Sequence, residues 1–167
     1  MLNILFLCLN RYSKKRVRQA FSDVIALAKK RDELVCGVYE AAQILRSGGA
    51  GNVQYCILVE SEDPANQVFC RLIEAYCCEN RIKVIKVDCG LTLTLMTGET
   101  SDEIHHCVLV QKPTEILDEE TCLAQQILAS YMKSKETRSV LKISWDDWKV
   151  ADNKQQMYEW IDSLPRR

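Results

Sequence analysis

The stretch VQYCILV, Val53–Val59, is an almost continuous apolar run of strand length, which is typical of a strand covered on both faces. It is followed by a helical pattern, Pro64–Asn80, and by a second strand-like run, Ile82–Val87 (IKVIKV). Two strands joined through a helix of this length imply a crossover connection within one sheet. This part of the chain therefore predicts an α/β fold.

The rest of the chain continues the alternation of helices and strands. Apolar periodicity predicts further helices over Ser13–Arg31, Val38–Arg46, Leu91–Met96, Asp118–Lys133 and Asp152–Leu164. Strand patterns cover Leu34–Gly37, His106–Gln111 and Val140–Trp145, the last as an edge strand, with a polar loop over Gly98–Glu103. Together these elements predict a three-layer α/β/α sandwich around a central mixed sheet.

No composition break or internal repeat divides the 167 residues, so we expect one domain over residues 13–167 after a short apolar arm, residues 1–12. In the arm the basic residues follow the apolar run, which is the reverse of the order in a signal peptide. The chain contains no run of about 20 apolar residues, the length that spans a membrane. A cleaved or membrane-tethering segment stays open as the alternative for the arm.

The charge balance and the placement of the cysteines argue against some classes of protein. Lys and Arg number 22 and Asp and Glu 23, a net charge of −1, which argues against non-specific binding to nucleic acid. The nine cysteines are odd in number and scattered through apolar segments, unlike a disulfide framework. We expect buried, reduced thiols and a reducing compartment, the cytosol or the nucleus. Metal or redox chemistry is the less favoured alternative.

The sequence contains few features that could carry catalysis. It lacks a phosphate-binding loop, a dinucleotide fingerprint and a nucleophile elbow. The glycine-rich segment 47–51 precedes a strand, whereas a phosphate cradle needs a helix after the loop. His106 and Cys107 are neighbours on a strand and should point to opposite faces, so they do not form a nucleophile pair. We expect no enzyme activity, no cofactor and no metal.

The helix over Pro64–Asn80 carries more apolar surface than one face of a surface helix needs. One line consists of Val68, Leu72 and Ala75, and a neighbouring line consists of Phe69, Ile73, Tyr76 and Cys77. Either both lines are buried within the monomer, or one covers the sheet while the other supports self-association as a symmetric dimer. The residues alone leave both possibilities open.

Several motifs, in this order, resemble the growth-arrest and DNA-damage-inducible (GADD) family. They are GVYEAA at Gly37–Ala42, Asn52-Val53 at the start of a strand, LIEAYCCEN at Leu72–Asn80, HCVLV at His106–Val110 and the ending SLPRR at Ser163–Arg167. The resemblance covers roughly Arg16–Gln111 and, more loosely, the C-terminal tail. It implies the α/β/α fold of ribosomal proteins that bind kink-turn RNA.

The RNA-binding relatives carry the motif Gly-x-Asn-Glu-x-x-Lys at the start of the second helix. Here Gly37 and Glu40 are kept, but Tyr39 stands in place of the asparagine and Gln43 in place of the lysine. Both changes remove polar or cationic contacts, so nucleic acid is not the expected ligand. An RNA-binding module stays the alternative hypothesis, because the first predicted helix is strongly basic.

The resemblance implies a non-enzymatic regulator of the response to stress and DNA damage, active in the nucleus and the cytoplasm. Members of the family bind and activate a mitogen-activated protein kinase kinase kinase and affect growth arrest, the cell cycle, DNA repair and apoptosis. Further implied partners are the sliding clamp, a cell-cycle kinase and its inhibitor. No membrane partner is implied.

Two sets of interaction residues follow from the resemblance. The family self-associates through its second and third helices, which favours a homodimer, or a hetero-oligomer with relatives, through Val38, Ala42, Val68, Leu72 and Ala75. Its acidic loop, which contributes to partner binding, corresponds to Glu60, Glu62 and Asp63. This loop is shorter and less acidic here than in the relatives.

Overall fold

The computed structural model describes residues 14–98, 103–134 and 140–144, in which five α-helices and five strands alternate. The helices are α1 (Lys14–Lys30), α2 (Val38–Arg46), α3 (Pro64–Glu79), α4 (Gly90–Met96) and α5 (Glu119–Ser134). The strands are β1 (Leu34–Cys36), β2 (Val53–Val59), β3 (Lys83–Val87), β4 (Cys107–Gln111) and β5 (Val140–Ile143). A short 3₁₀ helix, Gly49–Asn52, leads into β2.

The five strands form one mixed sheet in the order β1-β4-β2-β3-β5. The β2–β3 and β3–β5 pairs are parallel, whereas β4 is antiparallel to both β1 and β2. In the middle of the sheet, Ile57 of β2 lies opposite Ile85 of β3 and Val108 of β4. The predicted positions of β2 inside the sheet and of β5 at its edge are both confirmed.

Helices cover both faces of this sheet. One core contains the inner faces of α1, α4 and α5, represented by Phe21, Leu93 and Leu128, packed on the sheet. The other core lies under α2 and α3 and includes Leu45 and Ile73. Burial of each large apolar side chain contributes about 1.5–3 kcal/mol, so these two cores stabilise the layers. The expected three-layer α/β/α sandwich is confirmed.

The structure corrects some predicted boundaries. The first strand ends at Cys36 rather than at Gly37, because Gly37 has a φ of 107° and turns the chain into α2. Residues 1–12, most of the predicted loop 98–103 and the predicted helix 152–164 lie outside the described residues. Of the helices that are described, none has the length and apolar character needed to cross a membrane.

The end of α3 has an unusual backbone conformation. The amide of Ile82 donates to the carbonyl of Cys77 at 2.8 Å, and the amide of Arg81 donates to that of Cys78 at 3.3 Å. This is the Schellman pattern, in which the residue after the helix adopts a left-handed conformation and is usually glycine. Arg81 occupies that position with a φ of 58°. For a residue with a Cβ this conformation costs about 1–2 kcal/mol.

We predict that Arg81→Gly stabilises the fold by about 1 kcal/mol, because glycine adopts the left-handed conformation without a steric penalty. Urea unfolding measures the change. Asp32→Gly is the matched control, since Asp32 ends α1 with the same φ of 58° but aspartate tolerates it better. The gain for Asp32→Gly should be smaller. A loss of stability in Arg81→Gly would contradict this account of the α3 end.

Candidate protein interaction surface

Helices α2 and α3 lie side by side on the same face of the sheet. The face of α3 directed at the sheet is centred on Ile73 and Cys77, which are both buried. The hydroxyl of Tyr76 donates to the backbone carbonyl of Leu45 at 2.9 Å and so links α3 to α2. This hydrogen bond holds the two helices as one layer.

The outer side of this layer is apolar. The largest exposed fractions there are 75% for Tyr39, 64% for Leu72, 56% for Val68 and 52% for Phe69. We call the exposed set the α2–α3 apolar face; its members are Tyr39, Ala42, Val68, Phe69, Leu72, Ala75 and Tyr76. Exposed apolar residues grouped on one side of a protein are characteristic of interaction sites.

The structure distinguishes between the two possibilities that the sequence left open for α3. Burial of both apolar lines within the monomer is wrong, because Val68, Leu72 and Ala75 are all exposed. The second line is split: Ile73 and Cys77 cover the sheet, whereas Phe69 stands at the edge of the contact. The five residues predicted for self-association are therefore exposed, with one exception.

The exception is Val38, which is half-buried and packs against the core under α2. Ala42, by contrast, is exposed one turn further along the helix. The first residue of α2 is thus used mainly inside the monomer. The available part of the predicted surface consists of Ala42 and the exposed line on α3.

The predicted acidic loop connects β2 to α3. Glu60 pairs with Lys142 of β5, with the carboxylate and the ammonium 2.6 Å apart, and this contact raises the pKa of Lys142. Asp63 caps α3, because its Oδ2 accepts a hydrogen bond of 3.1 Å from the amide of Asn66. Glu62 is exposed. Two of the three acidic side chains therefore have structural contacts.

Three cysteine thiols next to this layer are closed off from solvent. Cys56, Cys77 and Cys107 are fully buried in the core under α2 and α3. Hydrogen bonds to Cys107 and Cys77, together with burial, raise the pKa of Cys56 well above its usual value, so this thiol stays protonated. Contrary to the expectation of buried thiols, Cys78 is exposed.

His106 is also engaged in packing contacts rather than with Cys107. Its Nε2 lies 3.3 Å from the side-chain amide of Asn66 on α3. This contact ties the start of β4 to the first turn of α3. Among the residues that the structure describes, no three His, Cys, Asp or Glu side chains are arranged to hold a metal ion.

The residues that correspond to the RNA-contacting motif lie at the start of α2. Tyr39 and Gln43 are both exposed there, so an RNA at this place would meet a phenol and a neutral amide. The basic helix α1 packs on the opposite face of the sheet from α2. On α1, Arg18 is buried, and just after the helix the guanidinium of Arg31 donates to the hydroxyl of Thr121 at 3.1 Å.

Comparison with known proteins agrees with this fold. The profile of the "Ribosomal protein L7Ae/L30e/S12e/Gadd45 family" matches residues 19–117. The chain belongs to this family. The match runs from α1 to the loop before α5, so it includes α2, α3 and the acidic loop.

Two curated relatives are GADD45 proteins. The chain is 34% identical over 106 residues to "Growth arrest and DNA damage-inducible protein GADD45 gamma" of Bos taurus, a match that covers 58% of this chain and 65% of the relative. It therefore spans less than two thirds of the gamma protein. It is 32% identical over 129 residues to the GADD45 alpha protein of Mus musculus, with coverage of 66% of this chain and 76% of the relative.

Among solved structures, the chain resembles the "Giardia lamblia 15.5kD RNA binding protein" with a TM-score of 0.54. The two share 9% sequence identity, and the match covers 74% of this chain and 93% of the other. At this identity the similarity concerns the fold alone. It agrees with the sheet and the layers of this family member.

Three members of the apolar face were not predicted as interaction residues from the sequence. In the sequence, Tyr39 stands out only as a substitution in the RNA motif, and Phe69 and Tyr76 belong to a line that is equally compatible with covering the sheet. Their helical positions contained the missing signal. Phe69 and Tyr76 lie between the exposed line and the buried Ile73, so they border the apolar face.

We predict that Asp63→Ala lowers the free energy of unfolding by about 1 kcal/mol, because the amide of Asn66 loses its capping acceptor. Asp63→Asn keeps an acceptor oxygen and should change stability by only a few tenths of a kcal/mol. Chemical denaturation measures both. Equal losses in the two variants would show that the charge of Asp63, rather than its capping bond, stabilises α3.

Proposed function

We propose that this chain is a non-enzymatic stress-response regulator that acts through protein–protein contacts. Membership of the L7Ae/L30e/S12e/Gadd45 family and the relatives named for growth arrest and DNA damage support this proposal. In it, the protein binds and activates a mitogen-activated protein kinase kinase kinase and thereby affects the cell cycle, DNA repair and apoptosis. The sliding clamp and a cell-cycle kinase are further proposed partners, and the nucleus and cytoplasm the proposed location.

The α2–α3 apolar face is the observation that carries the proposal. Leu72 and Val68 leave most of their side chains in water, although the described part of the chain has two hydrophobic cores. A second copy that packs on the same face would bury these side chains symmetrically. A related family member could take the place of the second copy. We therefore propose self-association through Ala42, Val68, Leu72 and Ala75, with Val38 at the margin.

The acidic loop supplies the proposed contact with the kinase. It leads directly into α3, so its charges lie next to the apolar face rather than on a separate surface. Lys142 neutralises Glu60 locally, which leaves Glu62 and Asp63 as the acidic groups without an opposite charge within 4 Å among the described residues. A basic segment of the partner would complement these two carboxylates. Such charges at the rim of an interface mainly affect association rate and specificity.

We predict that Leu72→Glu dissociates the dimer, because an unpaired carboxylate buried in the interface costs several kcal/mol, on the order of a thousandfold in affinity. Light scattering on purified protein measures the mass. The matched control is Leu123→Glu, since Leu123 is 52% exposed but lies on α5, on the other side of the sheet. An unchanged mass for Leu72→Glu, or equal dissociation by Leu123→Glu, would refute this interface.

We predict that the double variant Glu62→Gln, Asp63→Asn binds the kinase about fivefold more weakly, since two rim charges contribute about 0.5 kcal/mol each. Both substitutions keep the shape of the side chain, and asparagine keeps the capping acceptor of α3. Co-precipitation with the mitogen-activated protein kinase kinase kinase, carried out at two salt concentrations, measures the loss of binding. The control is Glu115→Gln, an exposed glutamate between β4 and α5.

The same purified protein can be used to test the RNA-binding alternative against the proposed kinase binding. If the wild type captures no kinase under conditions in which a GADD45 relative does, the proposed partner is wrong. Tight, salt-sensitive binding of kink-turn RNA would then favour the RNA-binding module. Weak RNA binding that is independent of Tyr39 and Gln43 would argue against that alternative as well.

A further inference from the structure

A cleft opens at the end of the sheet that lies away from the acidic loop. It is formed by the first residues of β2 and β3, the segment after β4 and one side of α5, and its volume is about 510 Å³. Ligand sites in proteins usually measure about 300–1,000 Å³. The α2–α3 apolar face contributes none of the residues that line the cleft.

The charged groups around the cleft have one sign. Arg81, Lys83 and Lys112 line it, and none of the described lining residues is acidic. The Nζ of Lys112 is fixed, because it donates to the carbonyl of Gly51 at 2.6 Å. The whole chain has a net charge of −1, so three cations at one cleft do not follow from a basic composition. Such a cluster creates a local positive potential that attracts anions.

The backbone is strained at one of these cations, Arg81, which lies at the edge of the cleft. Arg81 adopts the left-handed conformation that a glycine would adopt more easily. Residues in such conformations occur preferentially at ligand sites, where the position of the side chain outweighs the cost in stability. An arginine, and not a glycine, therefore stands at this position of the cleft.

A second backbone irregularity lies on β2, the strand that pairs with β3 at the cleft. The register between β2 and β4 shifts between Val53 and Tyr55, so that one extra residue, Gln54, enters β2. Tyr55 packs in the core under α5, and Gln54 points to the same side, where its amide exchanges hydrogen bonds of 3.0 and 3.4 Å with Gln125. Bulges are frequent next to functional sites because they redirect a side chain.

We infer that this cleft binds a small phosphorylated molecule of about the size of a mononucleotide. The guanidinium of Arg81 and the ammonium groups of Lys83 and Lys112 would hold the phosphate groups. The amides of Gln54, Gln125 and Gln126 and the apolar base of the cleft would contact the rest of the molecule. This ligand site lies in a different part of the molecule from the proposed kinase and dimer contacts.

The anion would be held differently from the phosphate in a glycine-rich loop. The segment Gly49–Asn52 borders the cleft, but it leads into β2 and not into a helix. Its backbone therefore cannot present a helix N-terminus to a phosphate. In this cleft the side-chain cations would bind the phosphate instead, and the carbonyl of Gly51 positions Lys112.

The test uses the full chain with ATP, inorganic pyrophosphate and adenosine as probes in low-salt buffer. ATP should shift the amide resonances of Gly51, Arg81 and Lys83 and raise the melting temperature, because a ligand that binds only the folded state stabilises it. Adenosine should bind least, and pyrophosphate should bind more weakly than ATP. Calorimetry gives the three dissociation constants.

Two variants test whether ATP binds in the cleft. Arg81→Gly and Lys83→Gln should each weaken ATP binding about tenfold, the effect of one lost charge-assisted hydrogen bond. Arg81→Gly is also expected to be more stable than the wild type, so its loss of binding cannot result from unfolding. The control is Arg71→Gln, because Arg71 is exposed on α3 and does not line the cleft.

Each of the other outcomes overturns a stated part of the inference. No shift with ATP or pyrophosphate at millimolar concentration would refute the site. Equal weakening by Arg71→Gln would mean diffuse electrostatic attraction rather than binding in the cleft. Pyrophosphate binding as tight as that of ATP would refute the mononucleotide size. An acidic peptide is titrated separately under the same conditions, and tighter binding of this peptide than of ATP would make the cleft a protein contact and refute a small-molecule ligand.

Discussion

The structure depends on the burial of β2 in the middle of the sheet. This strand pairs with β3 on one side and β4 on the other, and its side chains enter the cores on both faces. Ile57 and Leu58 are neighbours in the chain but contribute to opposite cores. Its backbone is paired on both edges, apart from the bulge at Gln54, while its side chains join both layers. Both candidate regions lie at its ends: the acidic loop follows Val59, and the cleft surrounds Gln54.

Much of this fold could be predicted from the sequence, because its signals are local. The strand β2 has the boundaries of the apolar run Val53–Val59, and α3 begins at Pro64, as the sequence pattern predicts. The fold class followed from the order of the elements. What could not be predicted depends on tertiary contacts. The pairing of β4 with both β1 and β2 and the contact between Glu60 and Lys142 join residues that are far apart in the chain.

The candidate surfaces were predictable to different degrees. Helical spacing identified Val68, Leu72 and Ala75 as one line, but only packing on the sheet shows that this line is the exposed one. Val38 also has an apolar side chain on a helix, yet it packs against the core under α2. The cationic cleft had no sequence signal, because its three cations come from two separate segments and its bulge depends on the partner strand. No glycine follows α3, so no sequence pattern indicated the left-handed conformation of Arg81.

The pairing of Glu60 with Lys142 makes the electrostatics of the acidic loop dependent on β5, which is distant in the chain. Lys142 belongs to β5, beyond residues 19–117 that match the family profile. In a shortened form of the chain that ended before β5, the carboxylate of Glu60 would lose the ammonium group that neutralises it, with every loop residue unchanged. Variation at the C-terminal end could thus tune electrostatic attraction to a basic partner while the recognition residues themselves stay the same.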